Sequence, residues 1–176
     1  MEQTIRSNKI YQGRSLNLRV DTVELPNKKY ANREIVEHPN AVSIIAKTDD
    51  GNYVFVRQYR KAIESDLLEL PAGKIERNED IDMAAHRELK EETGYVANQM
   101  DYLGSMYPSP WLSDQIIYVY FASELTLKER DLDEDEYIDV EVLSKEEVEK
   151  YLVNNELFDG KTMTSLLYYK NLKGEL

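Results

Sequence analysis

The segment from Asn78 to Gly94, NEDIDMAAHRELKEETG, constrains the fold most, because it has the pattern of one helix with well-defined ends. Asn78 is a suitable N-cap, and Gly94 suits the position after the last turn, where the backbone turns left-handed. We therefore predict a helix between Glu79 and Thr93. The acids that favour the positive end of its dipole are Glu79, Asp80 and Asp82.

One face of this predicted helix is apolar but also carries acids. At about 100° per residue, Glu88 and Glu92 project from the middle of the apolar face, and Glu91 projects from its edge. That face should pack against the core of the protein, so the two central glutamates are predicted to be buried. The apolar side chains that share the face are Ile81, Ala84, Ala85 and Leu89.

Buried acids at this spacing require a positive partner. Glu88 and Glu92 are neighbours on the helix surface, and the helix dipole disfavours negative charge in the second half of the helix. Burying unpaired carboxylates costs several kcal/mol. A hard divalent cation with oxygen ligands, Mg²⁺ or Mn²⁺, would satisfy them. In the alternative interpretation, KEE is the solvated end of an ordinary helix.

The rest of the chain predicts a mixed sheet between helices, of the α/β (α+β) class. Residues 1–37 have the pattern of short, polar antiparallel strands, and residues 41–60 that of a hairpin around TDDGN. Two further helices follow, one with an S-x-x-E capping box at Ser144 and Glu147 and one capped by Asp159. We predict a strand element over 1–37 and a main domain over 38–176. Other predicted strands are 67–70, 95–106, 115–122 and 137–143.

Composition excludes several classes of partner. With 34 acidic and 22 basic residues the net charge is −12, which repels nucleic acid and anionic lipid surfaces. No apolar stretch approaches the length of a membrane span, and the first residues do not resemble a signal peptide. There is no cysteine, so neither a disulfide nor a catalytic thiol is available. We predict a cytoplasmic protein that binds neither nucleic acid nor membrane.

The residues around the helix resemble a known family. Gly73, five residues, Glu79, seven residues and then the run RELKEETG resemble the Nudix box, and only Tyr95 departs, where an aliphatic residue is usual. The resemblance implies a mixed sheet between helices and hydrolysis of a nucleoside diphosphate linked to another group. It also implies that Mg²⁺, or Mn²⁺, is bound by Glu88, Glu91, Glu92 and the carbonyl of Ala72, while Arg87 and Glu79 orient these acids.

Residues outside the box resemble the ADP-ribose pyrophosphatase subgroup. Pro110 lies 16 residues after Gly94, and ELPAGKIE, REIVEHP and VRQYR also resemble the subgroup. Trp111 and Gln115 depart from it, since glycine and glutamate are usual there. The resemblance implies hydrolysis of ADP-ribose to AMP and ribose 5-phosphate. Alternatives are another nucleoside diphosphate derivative, such as a nucleotide sugar or a dinucleoside polyphosphate, and a non-catalytic nucleotide-binding module.

The same resemblance implies the remaining site residues. In the acidic stretch ERDLDEDEY, Glu134 matches the catalytic base and Glu136 an auxiliary metal ligand, although the stretch also fits a solvated acidic loop. Arg33 and Arg60 match positions that contact the diphosphate or ribose, and either could be an ordinary surface arginine. Trp111, next to Pro110, is either a loop anchor in the core or a stacking surface for adenine.

His86 lies at a variable position of the box, so we expect it to be structural. The strand element of residues 1–37 resembles the element through which subgroup members dimerise, so we predict a homodimer.

Overall fold

A computed structural model describes residues 1–130, 137–154 and 159–174 of the chain. These residues form two compact units. The first combines Met1–Asn40 with Tyr107–Ile116, and the second combines Ala41–Met106 with Ile117–Leu176. The second unit thus contains the helix with the acidic residues.

The first unit is built on a three-stranded antiparallel sheet with strand order β1-β2-β3. Its β1 is exposed along almost its whole length, and within these strands only Asp21 and Val23 are buried. The sheet therefore has little core of its own, as the polar pattern of the sequence predicted. Its strands are β1 (Gln3–Gln12), β2 (Asn17–Glu24) and β3 (Tyr30–Glu37).

The segment Tyr107–Ile116 is attached to the end of β3 by hydrogen bonds. The N–H of Val36 donates to the carbonyl of Leu112 over 2.9 Å, and the N–H of Ile116 donates to Asn40 Oδ1 over 2.9 Å. The side chain of Gln115 donates to the carbonyl of Pro39 over 2.9 Å. These bonds explain why a segment distant in sequence belongs to the first unit.

The second unit is built on a seven-stranded mixed sheet. The order along the sheet is β10-β5-β4-β9-β8, with β6 paired to β5 and β7 paired to β4. Among the described strands of this sheet, only the pairing of β4 with β9 is parallel. The strands are β4 (Ala41–Lys47), β5 (Tyr53–Arg60), β6 (Ser65–Glu69), β7 (Ala72–Lys74), β8 (Tyr95–Met106), β9 (Ile117–Leu127) and β10 (Ile138–Leu143).

Helices cover both faces of this sheet, which confirms the predicted fold class. The helices in the described part of the chain are α1 (Ile81–Thr93), α2 (Lys145–Asn154) and α3 (Gly160–Lys173). Ile44 packs in the core under α1, whereas the next residue, Ile45, packs in the core under α2 and α3. A central strand buried on both faces requires a continuous apolar sequence, which explains the run AVSIIAK.

The predicted helix ends are correct except at the start of α1. Gly94 adopts the left-handed conformation (φ 78°) after α1, and Ser144 and Glu147 form the predicted reciprocal capping box. The N-cap of α1 is Asp80, not Asn78, because Asp80 accepts hydrogen bonds from the N–H groups of the first turn. Asn78 instead adopts the left-handed conformation (φ 66°) in the turn before the helix.

No helix within the described ranges has both the length and the apolar character needed to span a membrane.

Candidate active site

Helix α1 places its acids as the sequence predicted. Glu88 and Glu92 are only 8% and 5% exposed, on the same face as the fully buried Ala84, Ala85 and Leu89. Glu91 is half-buried at the edge of that face. The interpretation that these acids form a solvated helix end is therefore wrong.

Arg87 holds three of the acids of the helix region together. Its Nε and Nη2 donate to the two carboxylate oxygens of Glu79 over 2.7 and 2.9 Å. Its Nη1 donates to both Glu88 and Glu91, over 2.8 Å each, and Nη2 also reaches the carbonyl of Lys74 over 2.9 Å. One guanidinium thus fixes the orientation of three carboxylates.

These contacts shift the pKa values of Arg87 and Glu79. The pKa of Arg87 is raised, first by its hydrogen bonds to Glu79 and then by Glu88 and Glu91, although burial acts against this. Arg87 also lowers the pKa of Glu79, and the N–H of Glu76, which donates to Glu79 over 2.8 Å, adds to the shift. Glu79 is therefore ionised at neutral pH.

The residues that follow β6 contact two of the acids of α1. The N–H of Ala72 donates to Glu92 Oε2 over 2.9 Å. Gly73 lies directly against Glu88, since a Cβ at this position would overlap with the Glu88 carboxylate. The fixed glycine of the box pattern therefore has a steric reason: only a residue without a side chain leaves room for Glu88.

The acids fit a divalent cation by charge and by chemistry. Glu79, Glu88 and Glu91 share the single guanidinium of Arg87, and Glu92 lies on the same buried face as Glu88. Their oxygen atoms are the ligand type that Mg²⁺ and Mn²⁺ prefer. Within the described residues, no three acidic or histidine side chains are arranged as a ready metal cage, and Arg87 Nη1 lies between Glu88 and Glu91.

Arg60 pairs with a buried acid that the sequence did not single out. Its Nε and Nη2 donate to the carboxylate oxygens of Glu69 over 2.5 and 2.7 Å, and Lys161 donates to the same carboxylate. Arg60 is thus not an isolated surface arginine. The position of Glu69 within the otherwise apolar run LLEL is a sequence signal that could have pointed to it.

Arg33 lies in the first unit and pairs with another residue of that unit. Its guanidinium donates to both oxygens of Glu2 and to the carbonyl of Asn32. The hydrogen bonds to Glu2 raise the pKa of Arg33. Arg33 is partly exposed. Its contact with the substrate remains a prediction.

Pro110 and Trp111 also lie in the first unit, in the segment that is attached to β3. Trp111 is 81% exposed, so it does not anchor the segment in a core. The nearby Gln115, where glutamate is usual, donates to the carbonyl of Pro39, which a carboxylate could not do. The glutamine thus has a structural role in this segment.

Glu134 and Glu136 lie outside the described residues, so their roles remain predictions. His86 is half-buried on α1, next to Arg87.

The sequence also did not predict that Tyr120 would donate a hydrogen bond to Asp82 at the start of α1. Burial of Tyr120, together with this contact, raises its pKa.

Family models match most of the chain. The NUDIX domain model matches residues 37–164, and the model of the nucleoside diphosphate sugar hydrolase N-terminal domain matches residues 2–36. A solved structure titled as an ADP compounds hydrolase is 23% identical and covers 98% of this chain and 95% of its own. Its TM-score of 0.87 shows the same fold.

Several curated relatives cover most of the chain. The ADP-ribose pyrophosphatase of Bacillus subtilis (strain 168) is 42% identical, and the methanol dehydrogenase activator of Bacillus methanolicus is 45% identical. Each alignment covers 95% of this chain and 91% of the relative. The GDP-mannose pyrophosphatase of Yersinia enterocolitica is 30% identical, over 82% of this chain and 80% of its own length. With its box residues arranged around α1 and with these matches, the chain belongs to the Nudix hydrolase family.

Proposed function

We propose that this protein hydrolyses the diphosphate of ADP-ribose, giving AMP and ribose 5-phosphate. The observation that carries the proposal is the buried acidic face of α1, held by Arg87 and closed by Ala72 and Gly73. The preference for ADP-ribose is supported by the 42% identity, over nearly the whole chain, with the B. subtilis ADP-ribose pyrophosphatase.

In this proposal Glu88, Glu91, Glu92 and the carbonyl of Ala72 hold Mg²⁺, with Mn²⁺ as a substitute. When bound, the cation supplies charge neutralisation on the diphosphate and a polarised water. The acids are oriented by Arg87, which is itself held by Glu79.

Hydrolysis adds water to one phosphorus atom and breaks its bond to the bridging oxygen, which leaves with the other phosphate. We propose that Glu134 takes the proton from the attacking water and that Glu136 is an auxiliary metal ligand. The proposed substrate-binding residues are Arg33, Arg60, Pro110 and Trp111.

The test is a substrate panel assayed with and without Mg²⁺. ADP-ribose should have the highest kcat/KM, about tenfold or more above GDP-mannose, UDP-glucose and diadenosine polyphosphates. Chelation of the cation with EDTA should abolish turnover, and added Mg²⁺ should restore it. Absence of turnover on every substrate in the panel would contradict the proposal.

A second candidate is hydrolysis of a nucleotide sugar. It is favoured by the match of residues 2–36 to the nucleoside diphosphate sugar hydrolase N-terminal domain and by the similarity to a GDP-mannose pyrophosphatase. A higher kcat/KM on GDP-mannose than on ADP-ribose would replace the first candidate with this one.

We further propose that the protein is a homodimer formed through its N-terminal sheet. The outer edge of β1 has no strand partner among the described residues, and Ile5, Ile10 and Tyr11 are more than half exposed on this strand. Edge strands with exposed apolar residues readily pair with another chain. The cytoplasmic location and the absence of nucleic acid binding stay predictions from the composition.

A further inference from the structure

Glu69 is a buried carboxylate at the end of β6, outside the Nudix box. Its side chain is 2% exposed, and it accepts hydrogen bonds from Arg60 Nε, Arg60 Nη2 and Lys161 Nζ. Burial raises the pKa of Glu69, but the hydrogen bonds and charges of Arg60 and Lys161 outweigh it, so the pKa lies below the ordinary value. Glu69 is therefore a charged group at the centre of two ion pairs.

Arg60 is held on one side by Glu69 and is open on the other. Its side chain is 41% exposed, and its Nη1 makes no hydrogen bond to the part of the chain that the structure describes. The pKa of Arg60 is raised, first by its hydrogen bonds to Glu69 and further by the charges of Glu69, Glu92 and Asp159. The guanidinium thus lies in the field of Glu92, a proposed metal ligand.

The first turn of α3 also holds Glu69, because Lys161 donates to the carboxylate oxygen that Arg60 Nη2 contacts. Lys161 bridges Glu69 and Asp159, with 3.1 Å from its Nζ to Asp159 Oδ1. Thr162 Oγ1 accepts the N–H of Leu70 over 2.9 Å and donates to Asp159. The backbone at Glu69 and Leu70 is thereby attached to α3.

The attached segment continues directly to the acids of α1. Two residues after Leu70, the N–H of Ala72 donates to Glu92 over 2.9 Å, and Gly73 lies against Glu88. Glu69 and Glu92 are therefore joined through one short stretch of backbone. This stretch therefore connects the partner of Arg60 with a proposed metal ligand.

A purely structural reason for Glu69 is weak. Replacing a buried ion pair by well-packed apolar residues of similar volume often leaves the stability of a fold unchanged or raises it. A bidentate carboxylate, however, fixes the plane of a guanidinium, and a fixed guanidinium binds phosphate with less loss of side-chain entropy.

We propose that Glu69, held by Lys161, is a positioning residue that fixes the guanidinium of Arg60 for a phosphate of a nucleoside diphosphate substrate. The proposal rests on the proposed function, since it assigns the partner of one substrate-binding residue. It makes the first turn of α3 part of the support of the active site.

The test compares Glu69→Gln with wild type in steady-state kinetics on ADP-ribose and in calorimetric titration with α,β-methylene-ADP. The amide keeps the shape of Glu69 but releases Arg60, so KM and the dissociation constant should both rise about tenfold while kcat changes less than about threefold. Arg60→Lys, which keeps the charge but lacks the fork, should have the same effect. Lys161→Met should raise KM less, because Arg60 keeps its partner.

Glu141→Gln is the matched control. It releases Arg57, which lies on β5 three residues before Arg60 and pairs with Glu141 through its Nε and Nη2. This pair lies outside the proposed substrate-binding residues. KM and the dissociation constant of the control should stay within about twofold of wild type.

A double-mutant cycle separates positioning from a general loss of structure. If Glu69 acts through Arg60, Glu69→Gln should have no further effect on KM in the Arg60→Ala background. Additive effects, or a lower melting temperature with unchanged KM and dissociation constant, would overturn the proposal. If Glu69→Gln does not fold, Arg60→Lys and Lys161→Met decide the question in the same assays.

The proposed function can fail separately. If wild type hydrolyses no substrate of the panel, the titration with α,β-methylene-ADP still shows whether Glu69→Gln weakens binding through Arg60. Unchanged binding in that titration would overturn the positioning role whatever the activity of the enzyme.

Discussion

Glu88 and Glu92 lie one turn apart on the buried face of α1 but have different partners. Glu88 is held by Arg87 against Gly73, whereas Glu92 accepts the N–H of Ala72. The sequence predicted the burial of both glutamates because helical periodicity fixes which side chains share a face. It did not predict these partners, which come from residues brought close only by the fold.

Removing the charge of Glu92 should separate catalysis from folding. Glu92→Gln should lower kcat at saturating Mg²⁺ by about 100-fold or more, because a neutral amide is a poor ligand for the cation. The amide oxygen can still accept the N–H of Ala72, and one repulsive charge is lost, so the melting temperature in EDTA should stay the same or rise. Glu146→Gln, in the first turn of α2, is the control, and near wild-type turnover of Glu92→Gln would contradict the metal assignment.

The close approach at Gly73 gives a second prediction. Gly73→Ala should lower kcat/KM by about 100-fold, because the added methyl group displaces the Glu88 carboxylate. We expect a loss of about 1–3 kcal/mol of unfolding free energy, typical of overpacking. Gly160→Ala is the control, since a Cβ there meets no atom within 4 Å. Equal activity of the two variants would show that Glu88 does not need its position.

The lowered pKa of Glu79 predicts how stability depends on pH. Its ion pair with Arg87 stabilises the fold fully above the pKa of the unfolded chain, and this contribution is lost as pH falls through the lower folded pKa. In urea unfolding at a series of pH values, Glu79→Gln should therefore be destabilised at neutral pH and approach wild type in acid. In the Arg87→Met background the effect of Glu79→Gln should vary much less with pH, because only the hydrogen bond from the N–H of Glu76 still lowers the pKa of Glu79. An undiminished variation would contradict the role of Arg87.

The start of α1 shows that a sequence pattern can leave open which of two residues caps a helix. Asn78 and Asp80 are both good N-caps, and the pattern favoured Asn78. In the structure the N–H of Glu79 donates to the carbonyl of Glu76 over 3.1 Å, and the Glu79 side chain reaches Arg87. This turn places Asn78 in the left-handed region and moves the cap to Asp80. The contact of Glu79 with Arg87 joins residues eight positions apart, so the preferences of single residues for cap positions could not reveal it.

Two substitutions test the position of this cap. Asp80→Ala should reduce the free energy of unfolding by about 1 kcal/mol, because the N–H groups of Asp82 and Met83 lose their acceptor. Asn78→Gly should change it by less than about 0.5 kcal/mol, because glycine adopts the left-handed conformation without strain. Chemical denaturation of both variants measures the difference, and the reverse order of effects would place the cap at Asn78.

The order of strands and helices along the chain could be predicted from the alternation of apolar and polar residues and from the positions of turn residues. The predicted strand over 95–106 agrees with β8, whereas the strand predicted over 115–122 is β9 at Ile117–Leu127. The chain before Ile117 bonds instead to the end of β3, through Asn40 and Pro39. The pairing of Glu69 with both Arg60 and Lys161 was also hidden, because Lys161 is 92 residues from Glu69 in the sequence.

The proposed homodimer can be tested by sedimentation of variants of β1. Ile5→Asp combined with Ile10→Asp places charges on the exposed β1 and should convert a dimer to a monomer in sedimentation at micromolar concentration. Leu127→Asp, on an exposed position of β9, should leave the mass unchanged. A wild-type protein that sediments as a monomer would rule out the dimer itself.

The exposure of Trp111 has a spectroscopic consequence. Trp111 is the only tryptophan of the chain, and it is 81% exposed on a segment fastened to β3. Its emission should therefore be red-shifted in the native state and open to quenching by iodide. Fluorescence excited at the long-wavelength end of protein absorption comes from Trp111 alone and therefore reports the surroundings of this side chain. Fluorescence of the thirteen tyrosines reports the rest of the chain.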